Sequence, residues 1–224
     1  MYQIKGILFD MDGTVISSEG LFEKAQKKYL GEKNIIVNSE ELHGFKGLSY
    51  KDFYPQFIKK FKITEDIGLI REKIRNHLYI LMETDLEYIK GFKSFYKNVI
   101  KDSNIKIALV TNTTRKSYQK IQSIVNINKY FNYTITVSET KKPKPNPDPY
   151  LQAMKKLKLK PQSTMIIEDS KTGLLSALKT KSKVVGITTT TSKREIKKLN
   201  ENIKIVASYF ELEKVFKEEY YISG

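Results

Sequence analysis

The stretch IKGILFDMDGT, residues 4–14, decides how the rest of the chain is interpreted. Its apolar first half predicts a short, buried β-strand that ends at Phe9. Because side chains alternate along a strand, Asp10 and Asp12 tend to project the same way where the strand ends, and Gly13 allows a sharp turn. Converging carboxylates repel each other unless a cation joins them, and hard divalent cations such as Mg²⁺ take oxygen ligands. Aspartate and glycine are also ordinary turn residues, so this stretch alone leaves a polar turn open.

The composition limits the class of protein. The chain has 224 residues, of which 40% are hydrophobic and 29% charged, and this predicts a globular protein with one domain and a modest insertion. It has no cysteine, which excludes disulfides, thiolate zinc sites and thiol nucleophiles. The first strand begins within a few residues and no apolar run is long enough to span a bilayer, so we expect no signal peptide, no membrane partner and a cytoplasmic location.

The formal net charge of +15 invites a nucleic-acid-binding interpretation. Residues 16–89 carry 12 Lys or Arg and 12 Asp or Glu, whereas residues 90–224 carry 27 and 11. The excess lysines are dispersed over predicted helix faces and turns with little aromatic interleaving, which argues against nucleic acid as the partner. A basic nucleic-acid-binding protein stays open as an alternative function.

Two patterns of hydrophobic spacing divide the chain. Apolar residues recur at helical spacing through residues 16–89, so we predict an all-helical insertion there, entered through a linker at residues 15–18. From residue 90 onward, short apolar runs alternate with helical segments. We predict an α/β fold, a doubly wound parallel sheet built from residues 1–15 and 90–224. The predicted later strands are Ile105–Val110, Tyr133–Val137, Met165–Ile167, Val184–Ile187 and Ile203–Val206, and the predicted helices include one from Phe92 to Lys101 and one capped by Asp148.

Polar residues follow several of the predicted strands. Ligands of such sheets bind at the carboxyl ends of the strands, where this sequence has Asp10 and Asp12, then Thr111-Asn112-Thr113, and then Glu168 and Asp169. A proline-rich loop adds Lys144, a point charge suited to phosphate. Acids, a hydroxyl, an amide and a cation at one edge of a sheet predict a Mg²⁺-dependent phosphoryl-transfer site.

Four motifs give the chain a family resemblance. They are DMDGT at 10–14, VTN at 110–112, KPNPDPY at 144–150 and IEDS at 167–170. In this order and spacing they resemble the haloacid dehalogenase (HAD) superfamily of phosphohydrolases over the whole chain. The resemblance implies a Rossmann-like core, and the insertion at 16–89 stands where the family carries an α-helical cap domain, as in the subgroup of β-phosphoglucomutase and small-metabolite phosphatases.

The resemblance also implies residue roles. Asp10 would be the nucleophile that forms an aspartyl-phosphate, and Asp12 the general acid and base. The metal Mg²⁺ would be held by Asp10, the backbone carbonyl of Asp12 and Asp169, with Glu168 as a further ligand or as a residue that orients the others. The residues that would bind the transferring phosphoryl group are Thr111, Asn112 and Lys144. Taken singly, Thr111 could instead be a helix N-cap, and Lys144 a solvated lysine like Lys141 and Lys142.

Two residues of the insertion, Lys46 and Tyr50, are candidates for substrate specificity. The segment around them resembles the specificity loop of β-phosphoglucomutase, but Tyr50 stands where that enzyme has its distal-phosphate arginine, and Phe22 where it has a histidine. These departures favour hydrolysis over phosphate transfer within one substrate. The presence of Asp12 argues against dehalogenation, and a phosphonate hydrolase that uses Lys46 as a Schiff base stays open.

The resulting prediction is a phosphatase acting on a small phosphorylated metabolite, with a sugar phosphate as one candidate, as a monomer or a dimer. The alternatives are a β-phosphoglucomutase-like phosphomutase, the nucleic-acid-binding protein, and a phosphate-sensing protein without activity. Since an inactive scaffold has no need for both Asp10 and Asp12, these acids count against the last alternative.

Overall fold

The computed structural model describes residues 2–18, 20–45 and 50–221. The chain divides into two compact units, one formed by Met1–Ser17 and Glu87–Gly224 and the other by Ser18–Leu86. The predicted limits of the helical insertion, residues 16 and 89, stay a prediction.

The first unit contains a six-stranded sheet in which every neighbouring pair of strands is parallel. Its strands, in spatial order, are β6 (Tyr133–Ile135), β5 (Lys106–Val110), β2 (Gly6–Phe9), β7 (Thr164–Glu168), β8 (Lys183–Ile187) and β9 (Lys204–Val206). The chain builds outward from β2 in one direction and then returns to build outward in the other, with β2 paired to both β5 and β7. The predicted doubly wound sheet is confirmed.

Short strands outside the main sheet were not predicted. The strands β3 (Ile16–Ser17) and β4 (Glu87–Tyr88) form an antiparallel pair, and β1 (Tyr2–Gln3) pairs in parallel with β10 (Tyr220–Tyr221). The first pair replaces part of the predicted linker and lies inside the range predicted to be all-helical. Two residues are too few to show an alternating pattern, so the sequence carried no signal for them.

The helices of this unit follow the predicted alternation. They are α5 (Phe92–Phe95), which continues into a π-helical turn (Tyr96–Ile100), α6 (Arg115–Val125), α7 (Asp148–Leu157), α8 (Lys171–Leu178), α9 (Lys193–Leu199) and α10 (Tyr209–Glu219). Ser192 and Glu195 form the predicted capping box of α9. The prediction that Asp148 caps α7 is wrong, because Pro147 is the N-cap residue and Asp148 is the first residue of the helix.

Helices cover both faces of the sheet. Leu8 and Ile166 belong to a buried core that includes Met154 of α7 and Leu174 of α8. The next residue after Leu8 points to the opposite face, where the ring of Phe9 packs edge-on against Phe92 with centroids 5.8 Å apart. The carboxyl end of β2, where Asp10 begins the next loop, is therefore enclosed between two layers of helices.

The second unit is helical. Its helices are α1 (Leu21–Gly31), α2 (Ser39–His43), α3 (Tyr50–Phe61) and α4 (Ile67–Asp85). Phe53, Tyr54 and Phe57 are buried, as predicted for core aromatics, and the rings of Phe53 and Phe57 stack at 5.1 Å. Among the described residues of both units, no helix combines the length and hydrophobicity needed to cross a bilayer.

Candidate active site

The carboxyl ends of neighbouring strands bring the predicted acidic residues together. Asp10 follows β2, Glu168 ends β7 and Asp169 follows it. These strands are adjacent and parallel, so their ends lie at one edge of the sheet. One carboxylate oxygen from each of the three residues lies within 4.8 Å of the others. We call Asp10, Glu168 and Asp169 the acidic cluster.

Lys144 lies inside the acidic cluster and is not a solvated lysine. Its Nζ donates to Asp10 Oδ1 at 2.6 Å, to Glu168 Oε1 at 2.7 Å and to the carbonyl oxygen of Val110 at 2.8 Å. The residue is only 5% exposed, whereas its neighbour Lys142 is exposed. The ammonium group therefore ties the ends of β2, β5 and β7 to one another.

Burial and charge shift the proton affinities of the cluster. Burial raises the pKa of Asp10 well above its usual range, Lys144 opposes this increase, and Glu168 and Asp169 add to it. Burial alone would lower the pKa of Lys144, but the carboxylates of Asp10 and Glu168 raise it above the ordinary value. Lys144 is thus charged, and its single positive charge is paired with two of the three carboxyl groups, those of Asp10 and Glu168.

Glu168 is fully buried and both of its oxygens accept hydrogen bonds. Oε1 accepts from Lys144 and from the hydroxyl of Tyr150 at 2.7 Å, and Oε2 accepts from the hydroxyl of Ser170 at 3.1 Å. A Cβ atom at Gly173 would lie 1.7 Å from Oε1, so the first turn of α8 leaves space for this carboxylate only because residue 173 is glycine. These contacts fix the orientation of Glu168 towards Lys144.

Asp169 is held by hydroxyl groups. Its Oδ1 accepts from Thr14 Oγ1 at 2.9 Å, and its Oδ2 accepts from Thr190 Oγ1. Asp169 is 1% exposed, and Thr14 belongs to the first motif. Thr190 lies in the loop after β8, which no motif covers.

Asp12 and Thr111 meet beside the cluster. Asp12 Oδ2 accepts from Thr113 Oγ1 at 2.8 Å and, more weakly, from Thr111 Oγ1 at 3.4 Å. Thr111 is buried and does not cap α6, because Thr114 is the N-cap residue of that helix. The hydroxyls at the end of β5 therefore orient the Asp12 carboxylate.

Asn112 holds the loop that carries Lys144. Its Nδ2 donates to the carbonyl oxygen of Lys144, and its Oδ1 accepts from the backbone N–H of Lys144, both at 3.1 Å. This pair of bonds mimics the pairing of two strands and fixes the backbone from which the ammonium group extends. The role predicted for Asn112, a contact with phosphate, stays a prediction beside this observed one.

The charge balance of the cluster fits a divalent cation. Three buried carboxyl groups and one ammonium group leave an excess of acid, and buried charges are costly unless they are paired. Oxygen donors from Asp10, Glu168 and Asp169 suit Mg²⁺, a hard cation that prefers carboxylate ligands. The predicted contribution of the Asp12 backbone carbonyl stays a prediction.

The roles of the two specificity candidates, Lys46 and Tyr50, stay a prediction. Lys46 lies outside the described residues, and Tyr50 begins α3 while its side chain lies outside them. The contacts that sequence reasoning missed are those of Tyr150, Thr113 and Thr190. Tyr150 ends the third motif, which was a signal for it, whereas a hydroxyl partner in a distant loop leaves none.

Known proteins resemble this chain in sequence and in fold. A phosphorylated carbohydrates phosphatase from Thermotoga maritima is 23% identical over 175 residues, which is 78% of this chain and 80% of the relative. Pyrophosphatase PpaX from Oceanobacillus iheyensis is 26% identical over 176 residues, covering 77% of this chain and 78% of the relative. A crystal structure of a putative β-phosphoglucomutase from Thermotoga maritima has the same fold, with a TM-score of 0.86 at 20% identity, over 96% of this chain and 100% of that one.

A family model settles the membership of the chain. The model described as haloacid dehalogenase-like hydrolase matches residues 7–187, a range that contains the acidic cluster and Lys144. The resemblance predicted from the four motifs and the prediction of an enzyme are thereby confirmed. The chain belongs to the haloacid dehalogenase-like hydrolase family.

Proposed function

We propose that the protein is a Mg²⁺-dependent phosphatase that hydrolyses a small phosphorylated metabolite through an aspartyl-phosphate. The observation that supports this most is the buried acidic cluster bridged by Lys144, whose Nζ lies 2.6 Å from Asp10 Oδ1. It combines a carboxylate nucleophile, a fixed positive charge and an excess of oxygen ligands within one edge of the sheet.

In the first half-reaction, an oxygen of the Asp10 carboxylate attacks phosphorus, and the bond between phosphorus and the substrate oxygen breaks. Asp12 donates a proton to that leaving oxygen, so an alcohol departs and the phosphoryl group stays on Asp10. The hydroxyl groups of Thr111 and Thr113 hold the Asp12 carboxylate in a single orientation for this transfer.

In the second half-reaction, water attacks the phosphorus of the aspartyl-phosphate. Asp12, now ionised, accepts a proton from the water, and the bond between phosphorus and the Asp10 oxygen breaks to release inorganic phosphate. The ammonium group of Lys144 stabilises the charge of the phosphoryl oxygens in both steps, an effect commonly worth about 3 kcal/mol for one well-placed donor.

The metal would be held by the carboxylates of Asp10 and Asp169 and by the backbone carbonyl of Asp12, with Glu168 close to it. When bound, Mg²⁺ would neutralise the repulsion between these groups and the incoming phosphoryl group. Each oxygen of Glu168 accepts more than one hydrogen bond, Oε1 from Lys144 and Tyr150, and Oε2 from the Ser170 hydroxyl and the backbone N–H groups of Asp169 and Ser170. Its lone pairs are therefore in use, and its main contribution in this proposal is to hold Lys144.

The names of the relatives guide the choice of substrates to test. Their names include a phosphatase of phosphorylated carbohydrates and a pyrophosphatase, so sugar phosphates and inorganic pyrophosphate are the first compounds to test. Hydrolysis is preferred over a phosphomutase reaction because Tyr50 and Phe22 replace residues that the mutase resemblance would require. Product analysis by ³¹P NMR separates the two, since only hydrolysis releases inorganic phosphate.

The experiment compares phosphate release by the wild type, Asp10→Asn and Asp102→Asn with a panel of phosphorylated metabolites, with and without Mg²⁺. Asp102 lies exposed in the turn before β5, so its substitution is a matched control that should behave as the wild type. Asp10→Asn should reduce the rate to that of buffer. Unchanged activity in Asp10→Asn would remove Asp10 from the mechanism.

The same preparation tests the alternative partner. Salt-dependent binding of DNA or RNA by a wild type that releases no phosphate would favour the nucleic-acid-binding function. The proposal otherwise retains the expectation of a cytoplasmic enzyme that acts as a monomer or a dimer, which localisation and mass measurements would test.

A further inference from the structure

The loop after β8 reaches across to the acidic cluster, although it carries none of the four motifs. Thr190 Oγ1 donates a hydrogen bond to Asp169 Oδ2, and the other oxygen of the same carboxylate accepts from Thr14 Oγ1 at 2.9 Å. Each oxygen of the Asp169 carboxylate therefore accepts a hydrogen bond from a hydroxyl group, one in the loop after β2 and one in the loop after β8.

The neighbours of Thr190 anchor it. Thr189 Oγ1 donates to the carbonyl oxygen of Gly13 at 2.5 Å, and the backbone N–H of Thr191 donates to the carbonyl oxygen of Asp169 at 3.2 Å. Because the residues before and after Thr190 are both bonded to the loops of the site, the position of its hydroxyl is fixed by the backbone.

The side chains of Asp169 and Thr190 lie so close to the backbone of residue 13 that only glycine fits there. Gly13 has a φ of 79°, and a Cβ atom on it would lie 2.1 Å from Asp169 Oδ2 and 2.7 Å from Thr190 Oγ1. The absence of a side chain at residue 13 thus makes the space in which Thr190 reaches the carboxylate.

We propose that Thr190 is a positioning residue, which holds the Asp169 carboxylate in the orientation that binds a divalent cation at the acidic cluster. This inference rests on the proposed function. A carboxylate oxygen has two lone pairs, so Oδ2 can accept the hydroxyl hydrogen bond and still offer a lone pair to a cation. Without that hydrogen bond, Oδ2 loses its hydroxyl partner while Oδ1 keeps that of Thr14, so the orientation of the carboxylate is less restricted, and ordering it again opposes cation binding.

The expected loss of Mg²⁺ affinity can be taken from other proteins in which a side chain orients a metal ligand. Removing such a hydrogen-bond partner typically weakens metal binding by about 10-fold to 100-fold. Thr190 is exposed, so water can replace part of the lost hydrogen bond, and we expect a loss of about 10-fold, at the lower end of that range. Because Thr190 is exposed, replacing it should not disturb the hydrophobic core.

The experiment uses three full-length variants. Thr190→Val has nearly the same shape but no hydroxyl, Thr190→Ser keeps the hydroxyl, and Thr188→Val removes a hydroxyl that makes no hydrogen bond in the part of the chain that the structure describes. Mg²⁺ binding is measured by isothermal titration calorimetry, and hydrolysis of p-nitrophenyl phosphate is measured against Mg²⁺ concentration. Melting temperatures without Mg²⁺ check that every variant folds.

Thr190→Val should bind Mg²⁺ about 10-fold more weakly and require correspondingly more Mg²⁺ for half-maximal activity, with the substrate KM at saturating Mg²⁺ unchanged. Thr190→Ser and Thr188→Val should match the wild type. Wild-type affinity in Thr190→Val, an equal loss in Thr188→Val, or no recovery in Thr190→Ser would each overturn the inference while the proposed function stands. A wild type that neither binds Mg²⁺ nor hydrolyses phosphate esters would reject both.

Discussion

The substitution Lys144→Met removes an ammonium group that lies within hydrogen-bond distance of two buried carboxylates. Lys144 Nζ is 2.6 Å from Asp10 Oδ1 and 2.7 Å from Glu168 Oε1, and these side chains are 3%, 11% and 0% exposed. Methionine has a similar length and no charge, so the variant removes the interaction without leaving a large cavity. The carboxyl groups that remain then face each other without a cation.

The expected loss of stability in Lys144→Met depends on the two buried partners of the ammonium group, Asp10 and Glu168. Removing one partner of a buried ion pair costs about 3–5 kcal/mol, because the remaining charge is buried and uncompensated. Lys144 has two partners, which favours the upper half of that range, but either carboxyl group can take up a proton and limit the loss. We therefore expect Lys144→Met to lower the free energy of unfolding by about 3–5 kcal/mol above neutral pH.

The protonation of Asp10 sets the sign of the pH dependence. Burial raises the pKa of Asp10 in the folded protein, and Lys144 opposes that rise. An acid with a raised pKa favours folding below its unfolded pKa, and that contribution is lost as the pH rises through the folded value. Without Lys144 the pKa of Asp10 rises further, so the deficit of the variant should shrink as the pH is lowered and Asp10 becomes protonated.

The assay is urea denaturation followed by circular dichroism, without divalent cations, between pH 5 and pH 8. Lys142→Met is the matched control, because Lys142 is exposed two residues away and its loss should change stability by less than about 0.5 kcal/mol. If Lys144→Met proved as stable as Lys142→Met at pH 8, the charge of Lys144 would not compensate the buried acidic cluster, and the reasoning from its contacts would be refuted.

Two further predictions concern other polar contacts. Tyr150→Phe removes only the hydroxyl that donates to Glu168 at 2.7 Å, and urea denaturation should show a loss of about 1–3 kcal/mol, because a buried carboxyl oxygen loses a hydrogen-bond donor; a loss below about 0.5 kcal/mol would show that this hydrogen bond does not stabilise the fold. In the helical unit, hydrogen bonds from Lys33 and Lys73 lower the pKa of Glu65 to about 2, so its contribution to stability is present above the ordinary value near 4.5 and is lost as the pH falls towards 2. Glu65→Gln should flatten the decline of the melting temperature between those pH values, and a decline as steep as that of the wild type would show that other acids cause it.

The centre of the sheet was predictable because its four central strands, β2, β5, β7 and β8, are buried on both faces along almost their whole length. Runs such as KIALV at 106–110 and TMIIE at 164–168 are almost continuously apolar, which is typical of parallel strands between two layers of helices. The residues at which the strands end were less predictable. The third strand was predicted to reach Val137 but ends at Ile135, because Thr136 caps a short 3₁₀-helix through a capping box with Glu139. Thr136 is β-branched and is common both in strands and at helix N-caps, so its identity did not decide between the two.

The acidic cluster was predictable for a different reason. Asp10, Glu168 and Asp169 each follow an apolar run, and the topology of a parallel sheet brings such positions together whatever the details of packing. The partners of these residues were not predictable, since the hydroxyl of Thr190 and the hydroxyl of Tyr150 reach their carboxylates through tertiary structure. A threonine in a loop looks the same in sequence whether its hydroxyl contacts solvent or an acid.

Burying the acidic cluster is unfavourable for folding, because its like charges are removed from water and repel one another. A function is therefore needed to explain why the chain retains it. A buried ion pair can often be replaced by apolar side chains of similar volume with no loss of stability, and Leu8 and Ile166 in the same two strands form such an apolar core. At the ends of these strands the chain instead buries acids whose mutual repulsion helps to raise the pKa of Asp10. In the proposed function, a cation that bound to these carboxylates would remove that repulsion. Folding alone gives no reason to retain the cluster, whereas binding a cation and a phosphoryl group does.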